Sequence, residues 1–156
     1  MGTRSNVVFQ VSDKSRIYLY RNWDGGLNDN GAMIARTLLW IEAGNHYHPA
    51  TDAVEALLAY RDCYGHPYEL TTATHGDIDH FYELSYWRGS WKILHRWGHG
   101  EGLEEKSGTP EGFGLRASGE FVGDLEEFVA HVNKDIQKCN KRAVERGYDW
   151  RYEEVA

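Results

Sequence analysis

Between Asp79 and Trp97 the chain changes character at every second residue. His80, Tyr82, Leu84 and Tyr86 would share one face of an extended segment, and Phe81, Glu83, Ser85 and Trp87 the other. A period of two belongs to a strand, because successive side chains of an extended backbone point to opposite faces. Arg88-Gly89-Ser90 interrupts the pattern and Trp91 to Trp97 resumes it, so the sequence predicts a hairpin of two strands, 79–87 and 91–97. A hairpin with so many rings needs further strands beside it and a cover on its apolar face. That requirement narrows the fold to a sheet with helices against it.

The flanking sequence supplies both. Residues 5–11 and 16–22 are rich in strand formers and are separated by Ser12-Asp13-Lys14-Ser15, which predicts a first hairpin. The turn-rich stretch from Trp23 to Gly31 leads into a helix with Asn30 as its N-cap, a stripe of Met33, Ile34, Leu38 and Ile41, and Gly44 as the left-handed terminator. A second helix is expected from about 50 to 63, turning Val54, Leu57 and Leu58 inward and stopped by Gly65, followed by a strand over 68–72. Residues 98–119 hold seven glycines, Pro110 and four glutamates and read as a Gly-rich acidic loop. Asp124 with Glu127 forms an Asp version of the capping box. It opens a C-terminal helix over about 124–146 with the stripe Leu125, Phe128, Val129, Val132, Ile136, Cys139 and Val144. The order ββ-αα-βββ-α, without repeat or linker, predicts one α+β two-layer domain over 1–156: a mostly antiparallel sheet with helices packed on one face. Strand order does not follow from the sequence.

A chain of 156 residues with 41% hydrophobic content can bury a core without disulfides or metals. Its aromatic share of 13% excludes a disordered or low-complexity chain. No apolar run reaches the roughly 20 residues a membrane helix requires, and the first residues lack the pattern of a secretory leader, so the expectation is a cytoplasmic protein with no membrane partner. Cys63 and Cys139 have no metal-finger or redox spacing and read as small residues on helices. The net charge of −7 argues against direct binding of nucleic acid, whose phosphates attract basic surfaces. The charge is uneven. Eight acidic residues against two basic ones lie between Glu101 and Glu127, whereas six basic residues against three acidic ones lie between Lys134 and Arg151. An acidic patch of that kind complements a basic groove on another protein.

Chemistry-bearing residues are sparse. His75, Asp77, Asp79 and His80 crowd into six positions and form the one candidate metal set, with turn chemistry as the alternative reading of His75-Gly76-Asp77. His46 with His48, and His95 with His99, are too few to close a site, and the latter pair does not share a helical face. There is no nucleophile elbow and no phosphate loop, so no catalytic residue and no cofactor is assigned. The rings are the more informative population. Tyr and Trp with Arg are enriched at the energetic centres of interfaces, which picks out Arg21, Trp23, Asp24, Trp87 and Trp91, together with Glu101, Glu104 and Glu105 of the acidic loop, as the binding set.

The chain also resembles an uncharacterised family of small phage, prophage and bacterial proteins. The resemblance is carried by Met1-Gly2-Thr3-Arg4-Ser5, by Ile17-Tyr18 leading to Trp23-Asp24-Gly25, by Gly31 opening a helix, and by His75-Gly76-Asp77-Ile78 before Phe81-Tyr82. It covers roughly residues 1–95. Two departures stand out: Asn22 replaces the usual His, and Gly26-Leu27 replaces Tyr-Pro. The resemblance implies a phage-linked setting. Combined with the acidic, aromatic surface it gives the expectation of an accessory protein acting by binding a host protein, an inhibitor of a host defence complex of the anti-CRISPR kind, as a monomer or homodimer. The alternative expectation is a small-ligand protein or metal-dependent hydrolase acting on a nucleotide or phosphate ester.

Overall fold

The computed structural model describes residues 3–61, 65–73, 78–98 and 117–156. Six strands form one sheet: β1 (Ser5–Ser12), β2 (Ser15–Arg21), β3 (Glu69–Thr71), β4 (His80–Trp87), β5 (Ser90–Gly98) and β6 (Ala117–Gly123), in the order β3-β2-β1-β4-β5-β6. Both expected hairpins are present, β1 with β2 and β4 with β5. All neighbours are antiparallel except β1 and β4, which run parallel at the centre. That single parallel pair follows from the connection, because the chain leaves the first hairpin through two helices, adds β3 beside β2, and only then crosses to the other side of the hairpin to enter beside β1 as β4. The result is the α+β two-layer arrangement expected from the element order, with β6 added where the sequence suggested loop. Residues 99–116, most of the expected Gly-rich loop, lie outside the described residues.

Helices α1 (Ala32–Ala43), α2 (Pro49–Ala59) and α3 (Leu125–Glu145) pack on one face. There Ile34, Leu38, Leu57, Phe128, Val132 and Ile136 meet Val7, Phe9, Leu19, Leu84, Trp91 and Ile93 of the sheet. Each large apolar side chain buried this way contributes roughly 1.5–3 kcal/mol, which makes the layer contact the main source of stability. The opposite face carries only a small cluster of Val8, Tyr20, Ile78 and Phe81. The alternation read from β4 therefore holds, with Tyr82 and Leu84 turned to the helices and Phe81 away from them.

Local geometry departs from expectation at three points. Asn30 does not cap α1. The chain passes first through a wide turn, in which the Gly31 N–H donates to the Gly26 carbonyl five residues back at 3.2 Å, and the helix starts at Ala32 without a side-chain cap. Asn30 is instead buried, its Nδ2 donating to Ser5 Oγ at 2.8 Å and its Oδ1 accepting from the Tyr68 hydroxyl. Gly44 ends α1 in extended backbone rather than the left-handed region. In α3 the stripe closes on buried Ala143, while Val144 is exposed. The capping box forms as expected: the Glu127 N–H donates to Asp124 Oδ1 at 2.9 Å and the Asp124 N–H to Glu127 Oε1 at 3.2 Å.

Beyond α3 the chain turns back along it. Asn140 donates to the Tyr152 carbonyl at 2.9 Å and accepts from its N–H at 2.7 Å; Asn133 does the same for Val155 at 2.9 and 2.7 Å. Two amides seven residues apart on one helix thus replace the partner strand that an extended segment would otherwise need. Val155 is buried in the helix-facing core.

Candidate functional site

Strand register sets up the site. His80 stands opposite Trp97, and Tyr82 stands opposite His95, all four side chains on the helix-covered face. His80 and His95 are thereby diagonal neighbours, and α3 brings His131 down onto His95. His80 Nδ1 lies 2.9 Å from His95 Nε2, and His95 Nδ1 lies 3.0 Å from His131 Nε2. The three imidazoles form an unbranched chain. The planes of His80 and His95 are 4° from parallel, with centroids 5.2 Å apart, the arrangement of two rings meeting edge to edge through their nitrogens. Other rings fix this chain in place. Tyr82 lies nearly parallel to His95 at 4.6 Å, Trp97 stacks on His95 at 4.9 Å, and Phe121 of β6 stacks on His131 at 4.4 Å.

One glycine makes the packing feasible. Trp97 and Gly119 are cross-strand partners, and the Trp97 indole lies so close over Gly119 that a Cβ there would sit 2.0 Å from the ring. No residue but glycine lets the indole fold flat.

A cavity of about 570 Å³ opens over the chain of rings. His80, His95 and His131 line it together with Trp97, Phe121, Gly26, Asn28, Glu120, Lys134, Asp135 and Lys138. Glu120 is engaged by Arg96, whose Nε donates to it at 2.7 Å. The balance that remains among the described lining residues is two ammonium groups on successive turns of α3 against the carboxylate of Asp135. The rings themselves are neutral at pH 7. Burial pushes His80 down to about 4, with the nearby Asp79 carboxylate working weakly the other way. Burial lowers His95 well below the ordinary range, and charge on either neighbouring imidazole would lower it further. His131 is also lowered by burial; Asp135 opposes the shift and Lys134 adds to it.

The expected site residues are scattered by comparison. His80 belongs to the cavity, but Asp79 does not join it: its Oδ2 accepts from the Arg4 N–H at 3.0 Å and holds the N-terminal segment. His75 and Asp77 lie outside the described residues, as do Glu101, Glu104, Glu105 and Cys63. Among the described residues no three His, Cys, Asp or Glu side chains are arranged to hold a metal. The nitrogens that would converge on an ion point at one another instead. Trp91 is a correction to the expected binding surface: it is 2% exposed, packed edge-on to Phe9 and Tyr86 in the core. Arg21 is fully buried beneath the rings of Tyr60 and Tyr68, with Asp29 at 3.6 Å, where it braces β2 against the segment before β3. Trp23 is partly exposed and stacks on His66, and Trp87 is exposed at the tip of the β4–β5 turn with Arg88 over its ring.

Trp23-Asp24-Gly25 is a turn, but its strain sits on Asp24, which takes φ +50°. Gly25 is required for a different reason. Its N–H donates to the Thr3 carbonyl at 2.9 Å, its carbonyl accepts from the Tyr82 hydroxyl at 3.1 Å, and a Cβ would come within 2.8 Å of Ser5 and 2.9 Å of Arg4. The motif clips the chain to the start of β1, just ahead of Gly26, Leu27 and Asn28, which line the cavity.

Sequence reasoning missed His95 and His131. Hairpin register decides the place of His95: the expected three-residue turn, 88–90, would pair Trp87 with Trp91 and set Arg96 opposite Tyr82, whereas the observed two-residue turn, Arg88-Gly89, pairs Trp87 with Ser90 and sets His95 there, one diagonal from His80. No sequence signal ties His131 to either, because α3 is separated from β5 by the segment 99–116. Comparison of the chain with protein-family models, with curated proteins and with solved structures finds no match in any of the three.

Proposed function

We propose that this protein binds a small phosphate-bearing ligand, a nucleotide in particular, in the cavity between β4, β5, β6 and α3. The observation that supports the reading is the lining: Lys134 and Lys138 with His131 on α3, and Trp97, Phe121, His80 and His95 from the sheet. A volume of about 570 Å³ falls within the range of roughly 300–1,000 Å³ that small-molecule sites occupy. Ammonium groups attract a phosphate as point charges, and aromatic faces accept a base by stacking. The expected docking on a host protein drew on aromatics that this fold separates. Trp91 lies in the core, and Trp87 stands at the end of the β4–β5 hairpin opposite to His80 and Trp97.

The test is calorimetric titration of the purified protein with adenosine monophosphate, adenosine and inorganic phosphate at low salt. Tighter binding of the nucleotide than of either fragment is expected, with at least a tenfold loss in a Lys134→Ala, Lys138→Ala double variant. Absence of saturable binding by all three at millimolar concentration would sink the reading.

A further inference from the structure

Three imidazoles joined end to end by two N–H···N bonds have a property none has alone. A neutral imidazole carries one N–H and one bare nitrogen, so it can donate through one and accept through the other. His95 is bonded at both nitrogens. If it donates toward His131, it accepts from His80, and the protons then sit on Nδ1 of all three rings. If it donates toward His80, they sit on Nε2 of all three. Mixed arrangements leave one bond without a proton or force two protons into one gap. The two terminal nitrogens, His80 Nε2 and His131 Nδ1, are therefore always opposite in kind: one is a donor when the other is an acceptor. Both terminal rings line the same cavity.

We propose that His80, His95 and His131 form a proton relay that takes up a proton from the cavity at one end and returns one to it at the other. From the Nε2 state, a proton arrives at His131 Nδ1 and forms an N–H bond there. The His131 Nε2 proton passes to His95 Nδ1, the His95 Nε2 proton passes to His80 Nδ1, and the proton on His80 Nε2 leaves to the cavity. Three N–H bonds break and three form within the rings and at the receiving end; one proton enters, one departs, and all three rings finish neutral in the Nδ1 state. The starting state returns when a proton from water enters at His80 Nε2, the three transfers run in reverse, and the proton on His131 Nδ1 leaves to water. No oxidant, reductant or metal takes part.

The surroundings suit this role. Tyr82, Trp97 and Phe121 hold the rings by stacking, with N···N distances of 2.9 and 3.0 Å. Burial keeps charge from settling on any one ring. Among the described residues the charged groups around the chain of rings are Asp79 ahead of β4, Glu120 of β6 and Lys134, Asp135 and Lys138 of α3. Arg96 of β5 engages Glu120. A relay of this kind gives the cavity paired general-base and general-acid ends for a ligand that loses a proton at one position and gains one at another. That use rests on the ligand reading above; the relay itself does not.

The test is nitrogen-15 NMR of histidine-labelled protein without ligand at pH 7.5, which distinguishes Nδ1–H from Nε2–H rings. All three rings should show one common tautomer, or one common ratio of the two. His131→Phe, which keeps a ring beside Phe121, should change the ratio at His80, which it does not touch; His80→Phe should reciprocally change it at His131. Different tautomers among the three rings, or ratios at one end unmoved by substitution at the other, would overturn the relay. Addition of adenosine monophosphate then separates the two ideas: a common shift of all three rings supports both. A common ratio unmoved by saturating nucleotide leaves the relay standing and counts against the ligand.

Discussion

His95 Nδ1 lies 3.0 Å from His131 Nε2, a hydrogen bond that ties the fifth strand of the sheet to the last helix inside the protein. Because His95 also meets His80 at 2.9 Å, the joint between the two layers is polar where layer contacts are ordinarily apolar. Its consequences are measurable.

Acid should weaken the protein through these rings. In the unfolded chain each imidazole titrates near 6.5, while burial lowers all three in the fold, His80 to about 4. The unfolded state therefore binds more protons as pH falls below 6.5, and stability present above that value is lost between about 6.5 and 4. The slope is up to about 1.4 kcal/mol per pH unit for each ring that stays neutral. His95→Phe should lose about 1–3 kcal/mol at pH 7, since it leaves nitrogens of His80 and His131 without their partner. The same variant should show a shallower pH dependence. Urea denaturation at pH 7.5, 6 and 5 measures both, and a variant slope as steep as the parent's would contradict the assignment.

Gly119 holds the cavity open by staying bare. In Gly119→Ala the new methyl meets the Trp97 indole at 2.0 Å, so the ring must rotate out of its place against His95. A stability loss of about 1–3 kcal/mol is expected. Tryptophan fluorescence should shift as the indole moves, and nucleotide binding should weaken in parallel.

The Trp-Asp-Gly turn should show an inverted tolerance. Asp24 carries the left-handed backbone, so Asp24→Gly should lie within about 1 kcal/mol of the parent. Gly25→Ala should destabilise by more than that, because Ser5 and Arg4 occupy the space of the added carbon. Thermal melts of the two variants side by side decide the matter; equal melting temperatures would rule out the close-approach argument.

Asn133 and Asn140 each make two hydrogen bonds to the returning tail. Replacing either with Ala should cost about 1–2 kcal/mol and leave backbone groups of Tyr152 or Val155 unpaired. Hydrogen exchange at those two residues should accelerate at least tenfold while the centre of α3 stays protected. Unchanged exchange would mean the tail is held by Val155 and Tyr152 packing and by the bonds of Arg36 to the Glu153 carbonyl and Gln137 to the Glu154 carboxylate.

The layers, the two hairpins, the capping box at Asp124 and the division of β4 into two faces were all legible in the sequence. They depend on local periodicity and on turn residues a few positions apart, and short-range sterics decide them. Strand order, the parallel contact of β1 with β4 and the burial of Trp91 and Arg21 were not legible. An alternating strand shows two faces without saying which one a helix will cover. The site lay furthest from view. His80 and His95 meet only because the β4–β5 turn has two residues and not the three that the sequence suggested, and His131 reaches them only because α3 packs over β5; no pattern along the chain encodes that contact. Sequence determined which residues could lie on one face; tertiary packing alone decided which nitrogens would meet, because a hydrogen bond depends on distances of tenths of an ångström that only the assembled layers set.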